Sequence, residues 1–255
     1  MSLLEEFVAN LPVFSGEKIL FSSDIVRLGI YLHRRGEELD LSRMVSLLLE
    51  KVGSEGTLLF PTYNWGFCSG EAFDYWKTPS KTGSLSQTAL SHKMFKRTKH
   101  PIYSWAVAGK DKDMLCSLNN TESFGKDSIF AWLLEVGGKN ILLDVSMQNS
   151  FTFVHFVEQY VGVPYRYHKD FTAKYIDEEG QQDARTYSMF VRDYELDAEC
   201  ELNPLESFLV ENKLVELTNI YESRVLKVDF QSCFNVIKND IEFNKAGLIA
   251  RYKGQ

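Results

Sequence analysis

Short apolar runs of β-forming residues alternate along this chain with amphipathic helical stretches, and that alternation admits few architectures. Lys18–Ser23 reads as a first strand, Leu41–Val52 as an amphipathic helix closed by Gly53, and residues 57–60 as a second strand stopped by Pro61. A strand, a helix and a strand in succession make the unit of an α/β domain, where helices cover the faces of a largely buried sheet. The pattern continues with helices over 84–94 and 128–136 and strands over 103–108 and 140–145, the last entered through Gly137 and Gly138. A helix over 149–161 follows that strand directly, with Asn149 or Ser150 as its N-cap. Residues 171–177 and 184–191 flank a turn at 178–180 and predict a β-hairpin outside the main sheet. A helix over 204–211, strands over 214–217 and 225–230 and a last helix to about residue 243 close the chain. The expectation is a single α/β domain spanning 1–255, three-layered α/β/α, with a central mixed sheet and a small additional β-hairpin region.

Composition narrows the function classes. A formal charge of −7, spread along the chain, leaves no basic face for general binding of nucleic acid or an anionic membrane. Cys68, Cys116, Cys200 and Cys233 form no CxxC pair, and the histidines and carboxylates lack HExxH-type spacing, so no metal site is predicted. The thiols read as reduced ones. The first residues are acidic where a secretory signal needs basic ones, and no apolar run reaches the length of a membrane span, which predicts a cytoplasmic protein.

One helix carries chemistry. Within 149–161, His155 and Glu158 lie three residues apart, so imidazole and carboxylate share a face. Such a pair can take a proton near neutral pH, the carboxylate orienting the ring and favouring its protonated form. The plainer alternative is a structural histidine in an aromatic-rich helix.

A series of short motifs resembles the aminoglycoside 3-N-acetyltransferase family. In order these are Ser22-Ser23; Gly56-Thr57-Leu58 with Pro61-Thr62; Phe73-Asp74 with Pro79-Ser80 and Gly83; Arg97, His100-Pro101, Ser104, Ala106 and Gly109; Glu122-Ser123, Gly125 and Ser128; and finally Thr152, His155 and Glu158. They keep their order and approximate spacing over about two thirds of the chain. The resemblance implies a coenzyme A-dependent N-acyltransferase in which acyl-CoA and an amine bind on opposite sides of a cleft and no acyl-enzyme forms. It gives His155 the part of general base, with Glu158 as its carboxylate partner and Thr152 as a hydroxyl donor to the developing oxyanion. Glu201 and Glu206 remain alternative partners for the ring. Ser22, Ser23 and Ser104 fall on the CoA side by the same likeness, Tyr63 on the acceptor side. His100, before Pro101, reads as structural.

The chain also departs from the family. Asp144 replaces a glycine at the end of the strand before the catalytic helix, which predicts a carboxylate at the mouth of the cleft and in contact with substrate. The glycine-rich stretch after Ser22-Ser23 is reduced to Gly29 and Gly36, leaving Arg34 and Arg35 as candidates for the CoA phosphates. After the catalytic helix stand Tyr165, Arg166, Tyr167, His168 and Lys169, an interleaving of basic and aromatic groups suited to a pyrophosphate and a flat base. The acceptor predicted from these is a nucleotide-linked amino-deoxy sugar, such as a dTDP-3-amino-3,6-dideoxyhexose of polysaccharide synthesis; an aminoglycoside is the alternative acceptor. Readings of other kinds are a catalytically silent sugar-nucleotide or CoA binder, and a thiol mechanism through Cys68. A homodimer is left open.

Overall fold

The computed structural model describes residues 1–255. Its centre is a seven-stranded sheet whose spatial order is Glu216–Ile220, Ser223–Asp229, Lys139–Leu143, Lys18–Ser23, Thr57–Pro61, Trp105–Gly109 and Lys96–Arg97. Lys18–Ser23 pairs in parallel with both Thr57–Pro61 and Lys139–Leu143, while the outer strands pair antiparallel, so the sheet is mixed.

Alternation along the strands divides the core into two layers. Ile19, Phe21, Leu58, Phe60, Ile141 and Leu143 point to one face, where helices Leu3–Asn10, Val26–His33, Leu41–Val52 and Ser84–Ser91 pack. Leu20, Leu59, Val107 and Leu142 point to the other, covered by Ile129–Glu135, Phe153–Val161 and Phe230–Asn244. Every central strand is thus apolar on both sides, as a sheet sandwiched between helices requires. Withdrawing side chains such as Phe21, Phe60 or Phe153 from water contributes about 1.5–3 kcal/mol each.

Against the second layer sits a separate three-stranded sheet of Phe73–Asp74, Arg166–Ile176 and Gln182–Arg192. The hairpin is longer than the sequence suggests, because its first residues, Arg166 to Asp170, are too polar to read as strand; they pair in continuous register from Arg166 opposite Arg192. The helix expected over 149–161 is broken. Met147–Ser150 forms one turn, Phe151 leaves helical geometry at φ −88° and ψ 65°, and the helix restarts at Phe153. Asn149 and Ser150 therefore lie in the preceding turn and do not cap the longer helix, whose N-cap position is Thr152. Helices Leu3–Asn10 and Val26–His33 were not predicted; the first begins with a capping box between Ser2 and Glu5 that its sequence spells out. No helix is long and apolar enough to cross a membrane.

Candidate active site

The strand Lys18–Ser23 lies between two parallel neighbours, Thr57–Pro61, which follows it in the chain, and Lys139–Leu143, which is reached from the far side of the sheet, so the carboxyl ends of three parallel strands open a crevice between diverging connections. A cavity of about 480 Å³ occupies it. Ser22, Ser23 and Asp24 line it from the first strand, Pro61, Tyr63 and Trp65 from the second, Val145 from the third, and Lys81 to Ser84 from the loop entering helix Ser84–Ser91. Asn149, Ser150 and Thr152 form a further wall, and Ile25 and Val26 complete the lining.

Across the start of the helix Phe153–Val161 lies a second cavity of about 580 Å³. His155 and Gln148 face it from one side, and Tyr167, Lys169, Phe171, Met189 and Arg192 of the hairpin from the other. Tyr63 of the first cavity packs edge-on against Tyr103 of the second, with ring centroids 4.8 Å apart. The broken helix thus presents Thr152 to one chamber and His155, three residues on, to the other.

His155 Nδ1 lies 2.7 Å from Glu158 Oε2. The carboxylate only accepts, so Nδ1 carries the proton and Nε2 keeps its lone pair. Glu158 is fully buried, whereas the imidazole is 22% exposed and so reachable from the cavity. Arg166 completes the group: its Nε stands 2.7 Å from the same Oε2 as an off-axis ion pair, while Nη1 donates to the Phe190 carbonyl at 3.1 Å. Gly162 makes this possible, because at φ 79° it ends the helix in the left-handed region and turns the chain into the hairpin.

The charges set each protonation state. Burial and the Arg166 guanidinium hold the His155 pKa below its ordinary value against the opposing pull of Glu158. Burial pushes the Glu158 carboxyl up, but the hydrogen bond from His155 and the charge of Arg166 outweigh it and keep the carboxyl below its usual range. At neutral pH the arrangement is a carboxylate, a neutral imidazole and a guanidinium, which is a base ready to accept a proton.

Other residues singled out in the sequence lie elsewhere. Asp144, at φ 52°, is turned inward: its carboxylate accepts the Arg224 N–H at 2.8 Å and lies 3.8 Å from Arg27, lining neither cavity. Ser104 is buried against Thr62 and Arg97. Ser22, by contrast, does line the strand-end cavity, though it is largely buried and its hydroxyl reaches Asn140. Arg34 lies near Glu222, and Arg35 stacks on the Tyr31 ring at 3.6 Å, both away from the crevice. Tyr165 is stacked on Tyr252 inside the core. Glu206 pairs with Arg224, and Glu201 with Arg251, so neither reaches the imidazole. His100 is buried with Nδ1 accepting the Tyr103 N–H at 3.1 Å, which seats that tyrosine in the cavity wall.

Sequence reasoning missed Lys81, the lysine of the strand-end cavity, and Cys200, which lines the chamber of His155. Nothing in their local patterns marks them. Burial raises both the Cys68 and Cys200 thiols to about 11, the reverse of what a nucleophilic thiolate needs. No group of three or more His, Cys, Asp or Glu is placed to hold a metal ion.

Comparison with known proteins identifies the family. Residues 35–242 match the model of the aminoglycoside 3-N-acetyltransferase family. Among solved structures, AAC-IIIb in binary complex with CoASH superposes with a TM-score of 0.77 at 16% identity, over 99% of this chain and 97% of that one. Sisomicin-bound AAC-VIa gives 0.76 at 18%, over 94% and 97%, and aminoglycoside acetyltransferase AAC(3)-Xa gives 0.75 at 17%, over 92% and 91%. No curated protein matches the chain. With the family model spanning most of its length and the fold shared end to end, this chain belongs to the aminoglycoside 3-N-acetyltransferase family.

Proposed function

We propose that this protein transfers an acetyl group from acetyl-CoA to the primary amine of an amino sugar, with His155 as general base. The observation that carries the reading is the His155–Glu158 hydrogen bond at 2.7 Å, held by Arg166, on the helix that separates two chambers. The amine occupies the hairpin chamber and the thioester the strand-end chamber. His155 Nε2 takes a proton from the nitrogen as the N–C bond forms and the C–S bond breaks, and Glu158 stabilises the resulting imidazolium. A positioned base of this kind contributes about 10²- to 10⁴-fold. The Thr152 hydroxyl, on the other chamber's wall, serves as a donor to the developing oxyanion.

The strand-end chamber suits CoA on its own terms. Gly83, at φ 102°, starts helix Ser84–Ser91 without a side-chain cap, which leaves backbone N–H groups free at the wall. Lys81 adds a cation beside them, and both features favour phosphate oxygens.

Two acceptors fit the chemistry. An aminoglycoside has the support of the family and of the sisomicin-bound relative. The nucleotide-linked amino sugar expected from the sequence has no support from the relatives named above and rests on one observation, the cationic lining of the hairpin chamber. The transfer itself is tested by measuring CoA release from acetyl-CoA with kanamycin and with a dTDP-linked amino sugar. His155→Ala is expected to lower kcat by at least about 10²-fold while leaving the thermal unfolding curve in place. A variant retaining wild-type turnover would refute the base.

A further inference from the structure

We propose that the Tyr165 hydroxyl donates a hydrogen bond to Glu158 Oε1, which makes Tyr165 a positioning residue for the His155–Glu158 pair. The catalytic consequence rests on the transfer reading above; the contact itself does not.

Glu158 offers two oxygens, and only one is used. Oε2 accepts from His155 Nδ1 at 2.7 Å and faces Arg166 Nε at the same distance. Oε1 is buried and has no partner. A carboxylate fully removed from water and left with one bare oxygen is costly, so a donor is expected within reach. The hydroxyl of Tyr165 is also buried and also without a partner. An orphaned acceptor and an orphaned donor in one pocket satisfy each other through a small side-chain rotation.

The backbone brings the two groups together. At the end of helix Phe153–Val161 the Gly162 and Val163 N–H groups donate to the Glu158 carbonyl at 2.9 and 3.2 Å, which folds the chain back over that residue. Two residues later Tyr165 enters the hairpin, its own carbonyl accepting the Asp193 N–H at 3.0 Å. Its ring is 2% exposed and stacks on Tyr252 with centroids 4.5 Å apart, so the closing segment of the chain fixes its plane. Tyr165 lines neither chamber. Packing alone would be served by a phenylalanine, whereas a buried tyrosine needs a partner for its oxygen.

The surrounding charges leave the position to Tyr165. Burial first, and then the adjacent Glu158 charge, raise its pKa, so the phenol keeps the proton it donates. The other ionisable groups around the pair are Arg166 and Arg192 of the hairpin and Cys200, a thiol that burial raises to about 11. None of them bonds Oε1. A donor on Oε1 stabilises the carboxylate charge that a proton would neutralise. Removing it makes protonation of the pair easier, whichever partner holds the proton, so the His155 titration moves to higher pH.

The test is an NMR titration of the His155 ring in the whole protein, assigned by the resonance lost in His155→Ala, for wild type, Tyr165→Phe and Tyr252→Phe. Tyr165→Phe keeps the ring and its stack and removes only the oxygen; the midpoint is expected to rise by about one pH unit or more. Tyr252→Phe takes a hydroxyl from the other ring of the stack and is expected to leave the midpoint in place. The acidic limb of kcat/KM for CoA release should follow the Tyr165→Phe shift, with KM for acetyl-CoA and for the amine unchanged. A midpoint that stays or falls in Tyr165→Phe, or that rises equally in Tyr252→Phe, would overturn the contact. Should Tyr165→Phe fail to fold, the wild type decides: a slowly exchanging Tyr165 hydroxyl proton supports the bond, and rapid exchange with solvent overturns it. Absence of acetyl transfer by the wild type would bring down the transfer reading and the catalytic role with it, while the titration still decides the contact.

Discussion

Replacing Glu158 by glutamine isolates what the buried carboxylate does, and its effects on rate, pH profile and stability can be worked out separately. Glu158 Oε2 sits 2.7 Å from both His155 Nδ1 and Arg166 Nε. In Glu158→Gln the carbonyl oxygen can occupy that position and accept from His155 Nδ1, so the imidazole keeps its tautomer and Nε2 still faces the cavity. What is lost is the charge. A hydrogen bond to a charged partner contributes about 1.5–3 kcal/mol, and if the imidazolium formed during transfer loses that support, kcat falls about 10- to 100-fold. The loss is larger, toward about 10⁴-fold, only if the amide turns its NH₂ to the ring and fixes the wrong tautomer. The pH profile gives the sharper test. Glu158 is the influence that raises the His155 pKa, while burial and Arg166 lower it, so removing the carboxylate moves the acidic limb of kcat/KM to lower pH. Arg166, left as an unpaired buried cation, costs about 3–5 kcal/mol of folding free energy, read by urea unfolding. Glu158→Asp, which retains the charge, keeps the rate measurement interpretable if the glutamine variant is too unstable. An acidic limb that rises in Glu158→Gln, or a plateau within twofold of wild type, would refute the assignment of Glu158 as the partner of the base.

Two further predictions concern the frame around the site. Burial lowers the His100 pKa to about 3, below its value in the unfolded chain, so the stability that depends on a neutral ring is full above about pH 6.5 and is lost as pH falls toward 3. Over that whole window the loss is on the order of 4 kcal/mol, and His100→Gln should flatten the dependence in urea titrations at pH 7 and 4.5; an unchanged slope would exclude His100 as its source. Gly109 pairs with Thr57 at φ 106°, and a Cβ there would stand 2.3 Å from the Gly56 carbonyl oxygen. Gly109→Ala should therefore lower the melting temperature by about 5 °C or more, whereas an unaltered Tm would contradict this strand register.

The legible parts of this protein are those in which neighbours in sequence are neighbours in space. The helix Leu41–Val52 shows its stripe, its Asp40 cap and its Gly53 stop within one short stretch, and it forms with the predicted bounds. His155 and Glu158 are legible for the same reason, since a single helical turn decides that they meet. Asp144 was not, because its left-handed backbone and its bond to the Arg224 N–H depend on a strand that enters the sheet far along the chain. Lys81 and Cys200 reach their cavities through loops and sheet edges that leave no periodic trace. Arg166 marks the boundary between the two cases. Grouped by sequence with Tyr167 and Lys169, it reads as part of a ligand's anion site, yet strand geometry separates it from them. As the first residue of its strand it turns inward to Glu158, while Lys169, three positions on, faces the open chamber. The same five-residue segment therefore supplies both the cation that pairs with Glu158 and a cation that lines the cavity outside any ion pair. Only the alternation of the strand, which the polar composition conceals, tells them apart.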